Sequence, residues 1–163
     1  MRKIPTSDEL IRLLALSPLP GEGGYFRRTY AGQLDANDRP AHSVIYYLLT
    51  STQPFSELHW LPTAETYHFY LGEPVQMLIL EPDKPGRTLR LGPDVQNGQH
   101  VQFMVPANCW HGSKLGGDGY ALLGTTMTPG YMDEDYRAGV RGDLQQQFPE
   151  HEHLIQQMTK DPQ

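Results

Sequence analysis

Cysteine is nearly missing from this chain. Cys109 is the single one in 163 residues, which excludes an intrachain disulfide and a cysteine-rich zinc site. Positive charge is also thin: 13 Lys and Arg face 19 Asp and Glu, a net charge of −6 with histidine neutral. That balance argues against nucleic acid or an anionic membrane as a partner. No apolar run approaches the length of a membrane-spanning helix, and the opening MRKIPTSDEL lacks the apolar stretch of a secretory signal. The expectation is a soluble, cytoplasmic protein. Phosphate-loop spacing is absent as well. The glycine-rich Gly21-Glu22-Gly23-Gly24 has neither a Lys-Ser/Thr pair nor G-x-G-x-x-G spacing, and reads as a hinge entering a strand. No alternation of strands and helices is visible, so a parallel sheet is not expected.

What is present is turn chemistry and strand formers. The chain carries 14 Pro, 16 Gly and nine Tyr, and its length suits one domain with a proper core. Thr6 and Glu9 have capping-box spacing, which predicts a helix over 6–16, stopped by Pro18 and Pro20. From 23 to about 140 the pattern is short strands between Gly and Pro turns. GYFRRTY alternates, with Tyr25, Arg27 and Thr29 on one face, so Arg27 and Arg28 must point opposite ways. HSVIYYLLT reads as a central strand buried on both faces. FSELHWL and ETYHFYL flank a Pro62-Thr63-Ala64 turn, which predicts adjacent antiparallel strands. VQMLILE and TLRL pair across Pro82–Gly86, and Asn97-Gly98 makes another turn. The tail, 143–160, reads as helical, with Asp143 as a cap and the final TKDPQ frayed. The expected fold is an all-β antiparallel sandwich or barrel with a short helix before it and a helical tail after it.

One stretch carries the chemistry. Phe55 to Gly72, FSELHWLPTAETYHFYLG, holds two histidines with a glutamate between them. Counting in twos, His59 shares a face with Phe55 and Leu61, and Glu65 with Tyr67 and Phe69. An imidazole and a carboxylate projecting into an apolar interior must pair, bind a metal or meet a ligand. His111, in VPANCWH, is the natural third member of a two-histidine, one-carboxylate set suited to a divalent transition metal. Arg27 is a candidate anchor for an anionic ligand. Tyr25, Tyr46 and Tyr67 are candidates for contact with a ligand. His68 and Gln102 are further candidates for contact with a ligand, His68 on the ground that strands bulge near sites.

These residues resemble a known superfamily. His59-x-Leu61-x3-Glu65-x6-Gly72 has the spacing of the first cupin motif, and VPANCWH resembles the second. Leu61 replaces the second motif histidine, and Asn108 stands where a glycine is usual. GGYFRRTY, SVIYYLLT, ETYHFYLGEP, VPANCWH and GTTMTPGYMDEDY recur in order in the cupin-5 (DUF985-type) family. The resemblance implies a double-stranded β-helix, or jelly-roll barrel, related to the sugar-epimerase cupins, with a small-molecule ligand and a homodimer. It implies His59 and Glu65 as catalytic residues, and His59, Glu65 and His111 as ligands where one divalent transition metal is bound. Three functions stay open: a sugar or carbonyl epimerase or isomerase, a binding module without turnover, and a metal-dependent cupin enzyme.

Overall fold

The computed structural model describes residues 4–161. Met1 to Lys3, part of the stretch searched for a signal, and Pro162 and Gln163 of the expected frayed end lie outside the described residues. Helix α1 spans Ser7–Leu13 and opens with the capping box: the Thr6 side chain accepts from the Glu9 amide while the Glu9 carboxylate accepts from the Thr6 amide. It ends earlier than the expected 16, because Ala15 adopts φ 51°, a left-handed conformation that halts a helix.

Eleven strands follow in chain order: β1 Ser17–Pro18, β2 Tyr25–Ala31, β3 Ser43–Thr50, β4 Phe55–Leu61, β5 Glu65–Gly72, β6 Val75–Leu80, β7 Arg87–Leu91, β8 Gln102–Val105, β9 Cys109–Leu115, β10 Tyr120–Met127 and β11 Arg137–Ala138. They form two antiparallel sheets, β1-β2-β3-β10-β5-β8 and β11-β4-β9-β6-β7. The all-β jelly-roll expectation holds. One local expectation does not. β4 and β5 are not neighbours: β4 pairs with β9 and β11, whereas β5 pairs with β10 and β8. The Pro62–Ala64 turn is a corner that carries the chain from one sheet to the other. His59 and Glu65 therefore face each other across the barrel rather than along a hairpin.

Three apolar clusters hold the layers together. The interior cluster includes Tyr47, Leu49, Tyr67, Met77, Ile79 and Leu123, the inward side chains of both sheets. Outside the first sheet, Leu10 and Leu16 cover Leu48 and Leu122. Outside the second, α2 (Arg141–Gln147) and α3 (Glu152–Gln157) lay Leu144, Phe148 and Ile155 on Leu58, Leu78 and Leu80. Alternation along a strand thus feeds two cores, one on each face. Asp143 does not cap α2: the cap position is Val140, and Asp143 lies within the first turn. Nor is the start of the final segment frayed, because Thr159 is buried and takes a hydrogen bond from Arg141. Among the described residues no helix is long and apolar enough to cross a membrane.

Candidate functional site

The site begins with an irregularity in β4. Ser56 pairs with Ser113 and His59 with His111, so Glu57 and Leu58 together oppose the single Gly112. This is a β-bulge: one extra residue bends the strand and re-aims its side chains. Ser56 and His59 both turn into the barrel, Leu58 turns outward to the helices, and Phe55 falls opposite Lys114. The expected shared face of Phe55 and His59 is broken for this reason. The Glu57 carbonyl is turned onto the ring of His59 and accepts from Nδ1 at 2.8 Å. That bond presents the Nε2 edge of His59 to the interior.

Glu65, at the start of β5, receives this edge. Its Oε2 lies 4.0 Å from His59 Nε2 and 3.0 Å from His111 Nε2, and accepts from the Tyr67 hydroxyl at 3.2 Å. Among the described residues none hydrogen-bonds Glu65 Oε1. His59 and His111 are direct cross-strand neighbours with ring centroids 4.2 Å apart. Asn108, at the usual glycine position, adopts φ 62° and turns the chain into β9. Asparagine tolerates the left-handed region better than most residues, so the replacement keeps the turn.

Charge in this cluster is set by burial and by its neighbours. Burial alone would lower the pKa of His59, but the nearby carboxylates of Glu22 and Glu65 raise it to about 9. Burial would raise Glu65, yet His111 and His59 hold it well below the usual carboxylate range. His111 is pushed down by burial and by the positive charge of His59. The stable arrangement is an imidazolium at 59, a carboxylate at 65 and a neutral imidazole at 111. The bond to Glu65 fixes the His111 tautomer: a carboxylate only accepts, so the proton is on Nε2, and Nδ1 has no partner among the described residues.

Above the cluster opens a cavity of about 610 Å³. His59, Glu65 and Tyr67 line it, as does Leu61 at the position of the missing motif histidine; His111 lies behind them and does not. Several other wall residues gave no signal in the sequence. Glu22, from the glycine-rich turn read as a plain hinge, is half-buried there and accepts from Ser56 Oγ at 2.9 Å; desolvation raises its pKa. Gly23 and Gly24, at φ 98° and 74°, shape that turn. Tyr131, Asp133 and Tyr136 come from the segment after β10. Tyr136 stacks on His59 at 5.3 Å, and its buried hydroxyl has no partner among the described residues. The segment is tied down at the mouth. Arg39 grips Asp135 through two bonds of 2.6 and 3.1 Å and the Gly130 carbonyl at 3.0 Å, while Ser43 Oγ takes the Tyr131 amide.

Five of the expected ligand-side residues sit elsewhere. Phe26 and Arg28 pair with Tyr47 and Ile45, whose side chains face inward, so Tyr25, Arg27 and Tyr46 face outward. Tyr25 and Tyr46 pack under α1, and Arg27 lies over the Tyr46 ring at 5.6 Å. It is Arg28 that lines the cavity. Its guanidinium reaches the Tyr131 carbonyl at 3.5 Å and lies 6.0 Å from that ring's centroid. No carboxylate among the described residues pairs with it. His68 and Gln102 are also off the cavity: His68 is bonded to Thr126 Oγ1 at 3.1 Å, and Gln102 Nε2 approaches its Nδ1 at 3.2 Å. Period-two alternation from Tyr67, which faces inward, puts His68 outside.

The donor set itself fits a metal. One ligand atom from each of His59, Glu65 and His111 lies within 4.8 Å of the others, and all three residues are buried. A second donor set of this kind was not found among the described residues.

Comparison with known proteins gives a consistent picture. A family model described as "Cupin superfamily (DUF985)" matches residues 8–138. An uncharacterised protein of Saccharomyces cerevisiae, YML079W, is 26% identical over 134 residues. That match spans 71% of this chain and 66% of the yeast protein, just under two thirds of its length. The crystal structure of SO0799 from Shewanella oneidensis superposes with a TM-score of 0.90 at 28% identity, covering 98% of this chain and 100% of that one. Oxalate decarboxylase of Bacillus subtilis shares the fold at a TM-score of 0.56 and 16% identity, with 93% of this chain matched to 39% of that one.

Proposed function

This chain belongs to the DUF985 family of the cupin superfamily, and from that premise we propose that it is a small-molecule cupin whose His59, Glu65 and His111 hold one divalent transition metal. The observation that carries the reading is the convergence of three buried donor atoms within 4.8 Å. A two-histidine, one-carboxylate set leaves positions open for a ligand. Structures of B. subtilis oxalate decarboxylase concern Mn(II) centres in that protein, which makes Mn²⁺ the first ion to try. A bound ion would act as a Lewis acid on a carbonyl or carboxylate oxygen of the ligand.

The chain's own residues supply the rest. The Glu57 carbonyl keeps a proton on His59 Nδ1, so Nε2 is the atom that would give up its proton to a metal and become the ligand. Glu65 retains a free Oε1. Leu61 occupies the position of a fourth protein ligand, leaving three. Arg28 is the anchor for an anionic group on the ligand, and Phe26, Ile45 and Met127 wall its apolar body. A sugar-like or carbonyl compound bearing an anionic group fits this lining. The homodimer implied by the family resemblance belongs to the same proposal. Exposed Tyr70 and Met104 on β5 and β8 support it, and sedimentation equilibrium reads a monomer where it is wrong.

Elemental analysis of protein purified without an affinity tag tests the metal. The expected result is about one divalent ion per chain, or a gain of roughly 2.7 kcal/mol in stability at a hundredfold excess of Mn²⁺ over its Kd. A Glu65→Gln, His111→Gln double variant should show neither. No ion, and no stabilisation by Mn²⁺, Fe²⁺, Ni²⁺ or Zn²⁺, rejects the metal. A second reading then takes its place: a metal-free isomerase in which His59 and Tyr136 handle the proton. The stacked ring and unpartnered hydroxyl of Tyr136 favour that alternative. Solvent deuterium exchange into sugar nucleotides, lost in Tyr136→Phe, is its measurement.

A further inference from the structure

The bulge that aims His59 is not held by its own sheet alone. An extra residue in a strand leaves backbone groups without ladder partners, and here those groups turn to the carboxyl-terminal segment. The Leu58 amide donates to the Met158 carbonyl at 2.7 Å, and the Leu58 carbonyl accepts from the Gly139 amide at 2.7 Å. The Glu57 side chain is buried, and its Oε2 meets Lys160 Nζ at 3.2 Å. The same ammonium donates to the Gly21 carbonyl at 2.7 Å. Between these two contacts the Glu57 amide donates to the Glu22 carbonyl at 2.8 Å. One lysine thus ties together the bulge and the turn that carries Glu22. These are the backbone supports of two side chains on the cavity wall. Residues 139–161 lie beyond the stretch matched by the family model, 8–138.

We propose that Lys160 is a positioning residue for the site: with the Met158 carbonyl it clamps the Glu57–Leu58 bulge to the Gly21–Glu22 turn and so fixes His59 and Glu22 at the cavity. The inference rests on the reading of this cavity as the functional site, and adds the carboxyl-terminal segment to it. The lysine itself is mostly exposed whereas its carboxylate partner is 6% exposed. Its replacement therefore leaves a buried charge unpaired, directly beside the backbone carbonyl that orients His59.

The test compares Lys160→Ala and Lys160→Arg with the parent chain, using two readouts. The first is taken on metal-free protein: side-chain ¹⁵N spectra of His59 and the exchange rate of the Leu58 amide. In Lys160→Ala the Nδ1–H signal of His59 should broaden or shift and Leu58 exchange should accelerate about tenfold, with the parent values restored in Lys160→Arg. The second is the affinity for Mn²⁺, read from free Mn²⁺ by paramagnetic resonance, which should fall by about tenfold in Lys160→Ala, as for other residues that orient metal ligands. If the parent chain binds no Mn²⁺, the metal reading fails while the first readout still decides the role of Lys160. If Lys160→Ala lowers the melting temperature but leaves the His59 signals and Leu58 exchange unchanged, Lys160 is an ordinary surface tie and the proposal is wrong.

Discussion

Glu65 concentrates its contacts on one oxygen: Tyr67 and His111 both bond Oε2. Removing the Tyr67 hydroxyl deprives a buried carboxylate of a neutral donor without opening a large cavity. Tyr67→Phe should cost about 1–2 kcal/mol in urea unfolding, and an unchanged midpoint would show that Oε2 is satisfied by His111 alone. At this scale the sequence was only partly legible. The spacing of His59, Glu65 and His111 brought out the three residues that converge. Alternation correctly put Arg27 and Arg28 on opposite faces, but nothing in GYFRRTY says which face is inside. The partner strand decides that, through Phe26 against Tyr47. Glu22 was invisible for another reason: a glutamate in a glycine-rich turn normally faces water, and only the fold shows that this turn is a wall of the cavity.

Among the elements, β4 matters most, and its bulge depends on the residue opposite. A Cβ on Gly112 would lie 2.9 Å from the Ser56 carbonyl oxygen and 3.2 Å from the Leu58 amide. Both are backbone atoms, which cannot swing aside. Gly112→Ala should therefore destabilise the fold by about 1–3 kcal/mol and disturb the His59 ring signals, whereas alanine at the unencumbered Gly142 in α2 should do neither. Retention of the His59 signals in Gly112→Ala would mean that the bulge absorbs the methyl. The elements themselves were mostly readable, from the capping box at Thr6 to the β6–β7 hairpin across Pro82–Gly86. The bulge was not. It inserts no glycine or proline into FSELHWL, and a strict count of twos passes straight over it. Likewise Pro62–Ala64 has the composition of a hairpin turn, and only strand pairing distinguishes a corner between sheets from a hairpin within one.

For the whole molecule, the buried His59–Glu65–His111 cluster links stability to pH. The pKa of His59 is raised from 6.5 to about 9, so its contribution is fully present below 6.5 and is lost as pH rises through 9. The pKa of Glu65 is depressed from 4.5, so its contribution is present above 4.5 and is lost as pH falls. The pKa of His111 is lowered from 6.5, so burying it neutral costs stability as pH falls below 6.5. Metal-free protein should therefore be most stable near 6.5, with declines on both sides. His59→Gln should flatten the alkaline decline. A parent melting temperature that is level from pH 6 to pH 9.5 would contradict the charged state assigned to His59.

The clamp on the bulge also has a consequence in time. The Leu58 amide and the Met158 carbonyl that receives it are separated by one hundred residues of chain. A ribosome adds about 5–20 residues per second, so this amide is made on the order of 5–20 s before its acceptor exists. For about the first half of that interval β9 is also still to come, so β4 then has no partner strand to fix its irregular register. During synthesis the histidine edge of the cavity is therefore among the last parts of the protein to take shape, although its residues lie in the first half of the chain.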